Sequence, residues 1–176
     1  MPARKPQHVI EITDRHLVSW AAGFIDGEGC ISIGKQKSKD HNWYGYTLNL
    51  AVSQKTAAPL ERLHQMFGGH FFPYQYKGNT YYRWQQWGPG ALLAIKEVLP
   101  YLLVKRAVAE VGIQFQEQMT AWNKQYGRQG YPQEVVDGRE VFYLQARMMN
   151  AKNRTNLKAP KYVGPKATER GARTIQ

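Results

Sequence analysis

The stretch Trp20-Ala21-Ala22-Gly23-Phe24-Ile25-Asp26-Gly27-Glu28-Gly29 constrains this chain more than any other. It places small residues along a helical segment, ends that segment on a carboxylate set between glycines, and runs directly into strand-like sequence. Thr13 or Asp14 opens the helix as a cap, and the spacing of Leu17, Trp20, Ala21 and Phe24 carries it to about Ile25. Ala21, Ala22 and Gly23 form a smooth patch that another helix can approach closely. The patch fits a neighbouring helix of the same chain or of a second copy.

Gly29 to Ser38 reads as a strand, with Ile31 and Ile33 on one face and Cys30, Ser32, Gly34, Gln36 and Ser38 on the other. A second strand alternates Tyr46, Leu48, Leu50 and Val52 against Thr47, Asn49, Ala51 and Ser53. The two runs predict a hairpin. A helix over about Thr56 to Phe67 follows, with Leu60, Leu63 and Phe67 inward and Gly68-Gly69 as its stop. His70 to Trp87 predicts a further hairpin turning near Lys77-Gly78-Asn79, in which Tyr82 and Trp84 oppose Tyr81, Arg83 and Gln85. The order is α+β: helix, two strands, helix, two strands, then helices. It implies an antiparallel four-stranded, saddle-shaped sheet with helices on one face and the other face free.

The later helices are read over Pro89 to Leu99, then along the stripe Val104, Val108, Val111, Phe115, Met119 and Trp122. Asp137 and Glu140 suggest a capped start for the last helix, with Val141, Leu144 and Met148 as its inner face. The domain so defined covers 14–150, after a leader over 1–13 and before a basic tail over 151–176. Residues 152–176 carry seven Lys or Arg against the single acid Glu169, and they have no apolar period. That composition predicts disorder in isolation, as a passive terminus or as an arm along a phosphate backbone.

A formal net charge of +11 and a pI near 9.8 favour a polyanionic partner, because Lys and Arg that neutralise phosphates release condensed counterions. In so basic a chain, the amides, hydroxyls and guanidinium of the free sheet face suit base edges in a groove. The aromatic residues of the second hairpin read mainly as core. Cys30 is the only cysteine, which excludes an intrachain disulfide or a thiolate zinc cage and fits a reducing, intracellular setting. Met1 to His8 lacks the apolar run of a signal peptide, and no stretch reaches the ~20 apolar residues of a membrane span. The expectation is a soluble protein of the cytoplasm or of an organelle, with no membrane partner.

Ala21 to Gly29 resembles the nine-residue signature of the LAGLIDADG homing endonucleases, with four positions, Ala21, Phe24, Gly27 and Glu28, differing from the family's name. Ser53-Gln54-Lys55-Thr56 is similar to the Gln-Lys-Thr turn of its single-motif members, and Pro100 to Arg106 resembles the segment holding their active-site lysine. The resemblance runs from Asp14 to about Tyr126. It implies a metal bound by Glu28 and by the Gly27 carbonyl, water positioned by Gln54, and charge stabilised by Lys105. Ala57, Ala58 and Pro59 stand where some members carry a further basic residue. Asp26 reads as structural.

Phosphodiester hydrolysis needs a polarised phosphorus, an activated water and a stabilised leaving oxygen, which carboxylate-held divalent ions supply. Oxygen ligands favour Mg2+, with Mn2+ or Ca2+ able to occupy the same place. Since the chain carries one signature, the resemblance implies a homodimer joined at Ala21, Ala22 and Gly23, making a staggered cut in a long pseudo-palindromic double-stranded DNA site. Ser32, Gly34, Gln36, Ser38, Thr47, Asn49, Ser53, Tyr81, Arg83 and Gln85 would face the DNA. Two other readings stand beside the nuclease: an intron maturase that binds RNA, and a non-catalytic DNA-binding regulator.

Overall fold

The computed structural model describes residues 14–37, 44–127 and 130–156, the stretch 152–156 by its backbone alone. Ser38, the leader over 1–13 and residues 157–176 lie outside the described residues. Helix α1 spans Arg15–Glu28, and Asp14 caps it by accepting hydrogen bonds from the amides of His16 at 2.9 Å and Leu17 at 3.4 Å. The helix therefore continues past Ile25 and keeps Asp26, Gly27 and Glu28 in helical geometry. Gly29 closes it by donating its N–H to the Ile25 carbonyl. The closure is tight, since a Cβ on Gly29 would lie 2.7 Å from that same oxygen.

Strands β1 (Gly29–Lys37) and β2 (Tyr44–Gln54) pair antiparallel, with Ile31 opposite Leu50 and Gly29 opposite Val52. Helix α2 (Ala58–Phe67) leads to β3 (His70–Tyr76) and β4 (Asn79–Trp87). The β3–β4 turn needs positive φ at both central residues, Lys77 at 49° and Gly78 at 75°, the geometry that matches strand twist in two-residue hairpins. The four-stranded antiparallel sheet has the order β1-β2-β4-β3. Helix α3 (Gly88–Val98), a 3-10 turn (Leu99–Tyr101), α4 (Arg106–Tyr126) and α5 (Gln133–Asn156) complete the α+β fold.

Period-two alternation sends Ile31, Ile33, Leu48, Leu50, Val52 and Trp84 to one face, where they are buried against the helices. Val18, Ala21, Ala22 and Ile25 of α1, Leu60 and Leu63 of α2, Ile95 and Val98 of α3, and Val108 and Phe115 of α4 close this core. The alternate strand residues form a second face on which none is buried.

Several sequence expectations are corrected. On α1, Trp20 is 39% exposed and stacks on Phe24, while Val18 and Ile25 occupy the inner side. Helix α2 starts at Ala58, with Met66 buried more deeply than Phe67. Val104 precedes α4 and is exposed. Helix α5 starts at Gln133, ahead of Asp137, and its backbone continues through Asn156 across the expected domain boundary. Val141, Leu144 and Met148 face outward; Val135, Arg139 and Ala146 are buried instead, beside Phe142, Tyr143 and Met149. Polar contacts with the first two strands set this rotation. Glu140 takes hydrogen bonds from Lys35 at 2.6 Å and from the Tyr46 hydroxyl, and the Asn150 amide donates to the Ile31 carbonyl at 2.9 Å. Helix α5 thereby covers the outer edge of β1, a strand edge otherwise open to pairing with another chain.

Candidate active site and nucleic-acid interface

The end of α1 gathers the chemical groups. Glu28 is the last helical residue; it is exposed, and its carboxylate has no hydrogen bond or ion pair among the described residues. Gly27 lies in the same final turn, where backbone carbonyls have no helical partner. An added Cβ on Gly27 would meet nothing within 4 Å, so this edge of the helix stands open.

Asp26 points elsewhere. Its carboxylate accepts the backbone N–H groups of Leu103 at 2.6 Å, Val104 at 3.1 Å and Lys105 at 2.9 Å. The Lys105 ammonium turns back and donates to the Asp26 carbonyl. Lys105 is thus brought from 79 residues away in sequence to the helix end that carries Glu28. Burial holds its pKa below the usual lysine value, opposed by the negative charges at Asp26, Cys30 and Glu28. Gln54 ends β2 two positions beyond Val52, the residue that pairs with Gly29 at the start of β1. The register therefore sets Gln54 at the same end of the sheet as Glu28 and Lys105.

No group of three or more His, Cys, Asp or Glu able to hold a metal ion occurs among the described residues. The donors at this helix end, the Glu28 carboxylate and the Gly27 carbonyl, are oxygen ligands of the type that suits a hard divalent cation. Ala21 and Ala22 are fully buried within the chain, whereas Gly23 is exposed with nothing within 4 Å of an added Cβ. The 100° helical step explains this correction to the small-residue patch. Trp20, Gly23, Phe24 and Gly27 share the outward side instead.

On the uncovered sheet face, Ser32 lies opposite Asn49, Gly34 opposite Thr47, and Ser53 opposite Arg83, with Gln36, Tyr81 and Gln85 on the same side. Arg83 donates from Nε to the Gln85 Oε1 at 2.9 Å. Sequence reasoning missed the β3 part of this face. His70, Phe72, Tyr74 and Tyr76 alternate onto it, with Trp87 of β4. Phe72 is 37% and Tyr76 55% exposed, His70 lies 4.7 Å from the Trp87 ring, and Tyr74 stacks on Tyr81. Aromatic residues on both faces of the strand hid the alternation; Phe71, Tyr82 and Trp84 are the ones that pack inward.

An open four-stranded antiparallel sheet beneath a helical layer is an α+β fold like that of the LAGLIDADG endonucleases. Residues 21–102 match the family model described as LAGLIDADG endonuclease. No curated protein matches. Among solved structures, the homing endonuclease I-CvuI in complex with its target in the presence of Ca is similar with a TM-score of 0.63 at 20% identity, over 82% of this chain and 96% of that one. The archaeal intron-encoded homing endonuclease I-Vdi141I, complexed with DNA, gives 0.61 at 13% identity, over 90% and 88%. The homing endonuclease I-TnaI gives 0.53 at 16% identity, over 80% and 95%. LAGLIDADG homing endonucleases are DNA nucleases, although some family members do not cleave. No described helix is long and apolar enough to cross a membrane.

Proposed function

We propose that the chain is a site-specific endonuclease that acts as a homodimer on a long, pseudo-palindromic double-stranded DNA site and makes a staggered cut with Mg2+. The observation that carries this reading is the free Glu28 carboxylate at the end of α1, with Lys105 tied to the same helix turn. One chain offers one such carboxylate. A second copy, meeting it along Trp20, Gly23, Phe24 and Gly27, would supply the other.

Bound at Glu28 and the Gly27 carbonyl, a divalent cation would supply Lewis acidity and an activated water. The remaining work falls to side chains. Gln54 orients the attacking water by hydrogen bonding, and Lys105 stabilises negative charge as it develops on the phosphate. The open sheet face lies in the major groove, with Arg83 donating to guanine and Ser32, Gln36, Thr47 and Asn49 satisfying other base edges. The basic composition fits the phosphates on either side.

The test is a cleavage selection on a DNA library, comparing wild type with Glu28→Gln, in Mg2+ and in EDTA. Double-strand cuts at one approximately symmetric site that require both metal and Glu28 are expected. Tight duplex binding without cutting under any condition would identify a regulator, and preferential binding of folded intron RNA a maturase.

A further inference from the structure

We propose that Asp26 is the positioning residue for Lys105, its carboxylate holding the backbone of 103–105 so that the lysine ammonium stays at the Glu28 end of α1. The inference rests on the nuclease reading above and deepens it. Asp26 lies two residues before Glu28, about 200° around the helix, so its carboxylate is turned away from the Glu28 side rather than sharing its ligands. What it meets is the connection into α4.

Arg106 braces the start of that connection by donating to the Leu102 carbonyl at 3.2 Å and the Pro100 carbonyl at 3.0 Å, but neither bond holds the amides of 103–105. Leu102 is fully buried and Val108 is 1% exposed, but between them Leu103 is 85% and Val104 58% exposed. Hydrophobic burial anchors both ends of this short segment and leaves its middle free. Three consecutive amides converging on one carboxylate restrain that middle directly. The negative charge also lies at the N-terminal side of α4, where the helix dipole favours it. Lys105 is then tied to Asp26 twice, by its own amide and by its ammonium.

A lysine side chain carries about 2 kcal/mol of rotamer entropy, so the fixed backbone origin limits how far the ammonium can wander. Misplacing a catalytic group by about 1 Å can cost roughly a hundredfold in rate. Asp26 therefore acts through Lys105 and touches no substrate itself.

The experiment compares Asp26→Asn and Asp26→Glu with wild type, on the target found by selection. It reads the single-turnover cleavage rate, target affinity in EDTA, and amide hydrogen exchange over 103–105 in protein free of metal and DNA. Asp26→Asn is expected to cleave at least tenfold more slowly, bind within twofold of wild type, and exchange those amides at least tenfold faster. Asp26→Glu keeps the charge but shifts it by one methylene, and falls between the two. A wild-type cleavage rate in Asp26→Asn, or unchanged exchange, overturns the proposal. If Asp26→Asn does not fold, Asp26→Glu decides: slower cleavage at unchanged affinity supports the role, and a wild-type rate removes it. Glu28→Gln and Lys105→Met separate the two levels. If both are inactive while Asp26→Asn cleaves normally, only the positioning role falls; a wild type that cuts no DNA removes the nuclease reading and the positioning role together.

Discussion

The indole N–H of Trp84 donates to the carbonyl of Gly68 at 2.7 Å, tying the centre of β4 to the turn that ends α2. Trp84 is fully buried, and Gly68 reaches this turn with φ at 67°. Replacing Trp84 by Phe removes the indole donor, leaves the Gly68 carbonyl with only the longer contact to His64 Nδ1 at 3.3 Å, and opens a small void, at a cost of about 2–4 kcal/mol. Thermal unfolding should show a midpoint lower by roughly 5–15 °C. An unchanged midpoint would mean that water takes over the bond.

Gly29→Ala tests the junction between α1 and β1. The new methyl would sit 2.7 Å from the Ile25 carbonyl oxygen and 3.0 Å from the Ile25 Cα, both backbone atoms that cannot swing aside. A loss of about 1–3 kcal/mol is expected. Chemical denaturation measures it, and a neutral substitution would show that the turn relaxes freely.

The packing of α5 on the sheet should weaken in acid. Hydrogen bonds from Lys35 and Tyr46 hold the Glu140 carboxyl below its ordinary pKa. Its contribution is therefore present above the unfolded carboxylate pKa and disappears as pH falls through the lower folded value. Lys35 is shifted upward, mainly by the hydrogen bond to Glu140, so its share vanishes only in strong alkali. Stability curves of wild type and Glu140→Gln should differ at pH 7 and converge in acid. Parallel curves down to pH 3 would show that Glu140 does not link protonation to folding.

Glu28→Gln should abolish cutting while target affinity stays within a few-fold of wild type. The change removes a ligand charge at an exposed position whose carboxylate has no hydrogen bond or ion pair among the described residues. Filter binding and single-turnover cleavage on the same duplex separate the two effects, and a matching fall in both would make Glu28 a binding residue.

Truncation after Asn156 keeps the whole of α5 and removes five Lys or Arg together with Glu169. For every phosphate that these cations neutralise, the salt slope of binding should fall by about 0.9. A titration from low to moderate salt reads the slope directly, and identical slopes would leave the segment without a part in DNA binding.

Much of this architecture is written in local pattern. Alternation in β1 and β2, the Asp14 cap and the Lys77-Gly78 turn are properties of neighbouring residues, so sequence alone determined the elements, their order and the two chemically distinct sheet faces. The signature and the segment around Lys105 were legible for the same reason. Helix rotation was not. Val141, Leu144 and Met148 have helical spacing, yet α5 turns them outward because Lys35, Tyr46 and Ile31, each more than 90 residues away, hold Glu140 and Asn150. Ala21 and Ala22 went to the chain's own core, leaving Gly23 outside, because sheet and helices compete for the same helical face. Only the tertiary structure decided that Asp26 grips the amides of 103–105. That grip joins groups 77 to 79 residues apart, and backbone donors leave no mark in a side-chain pattern.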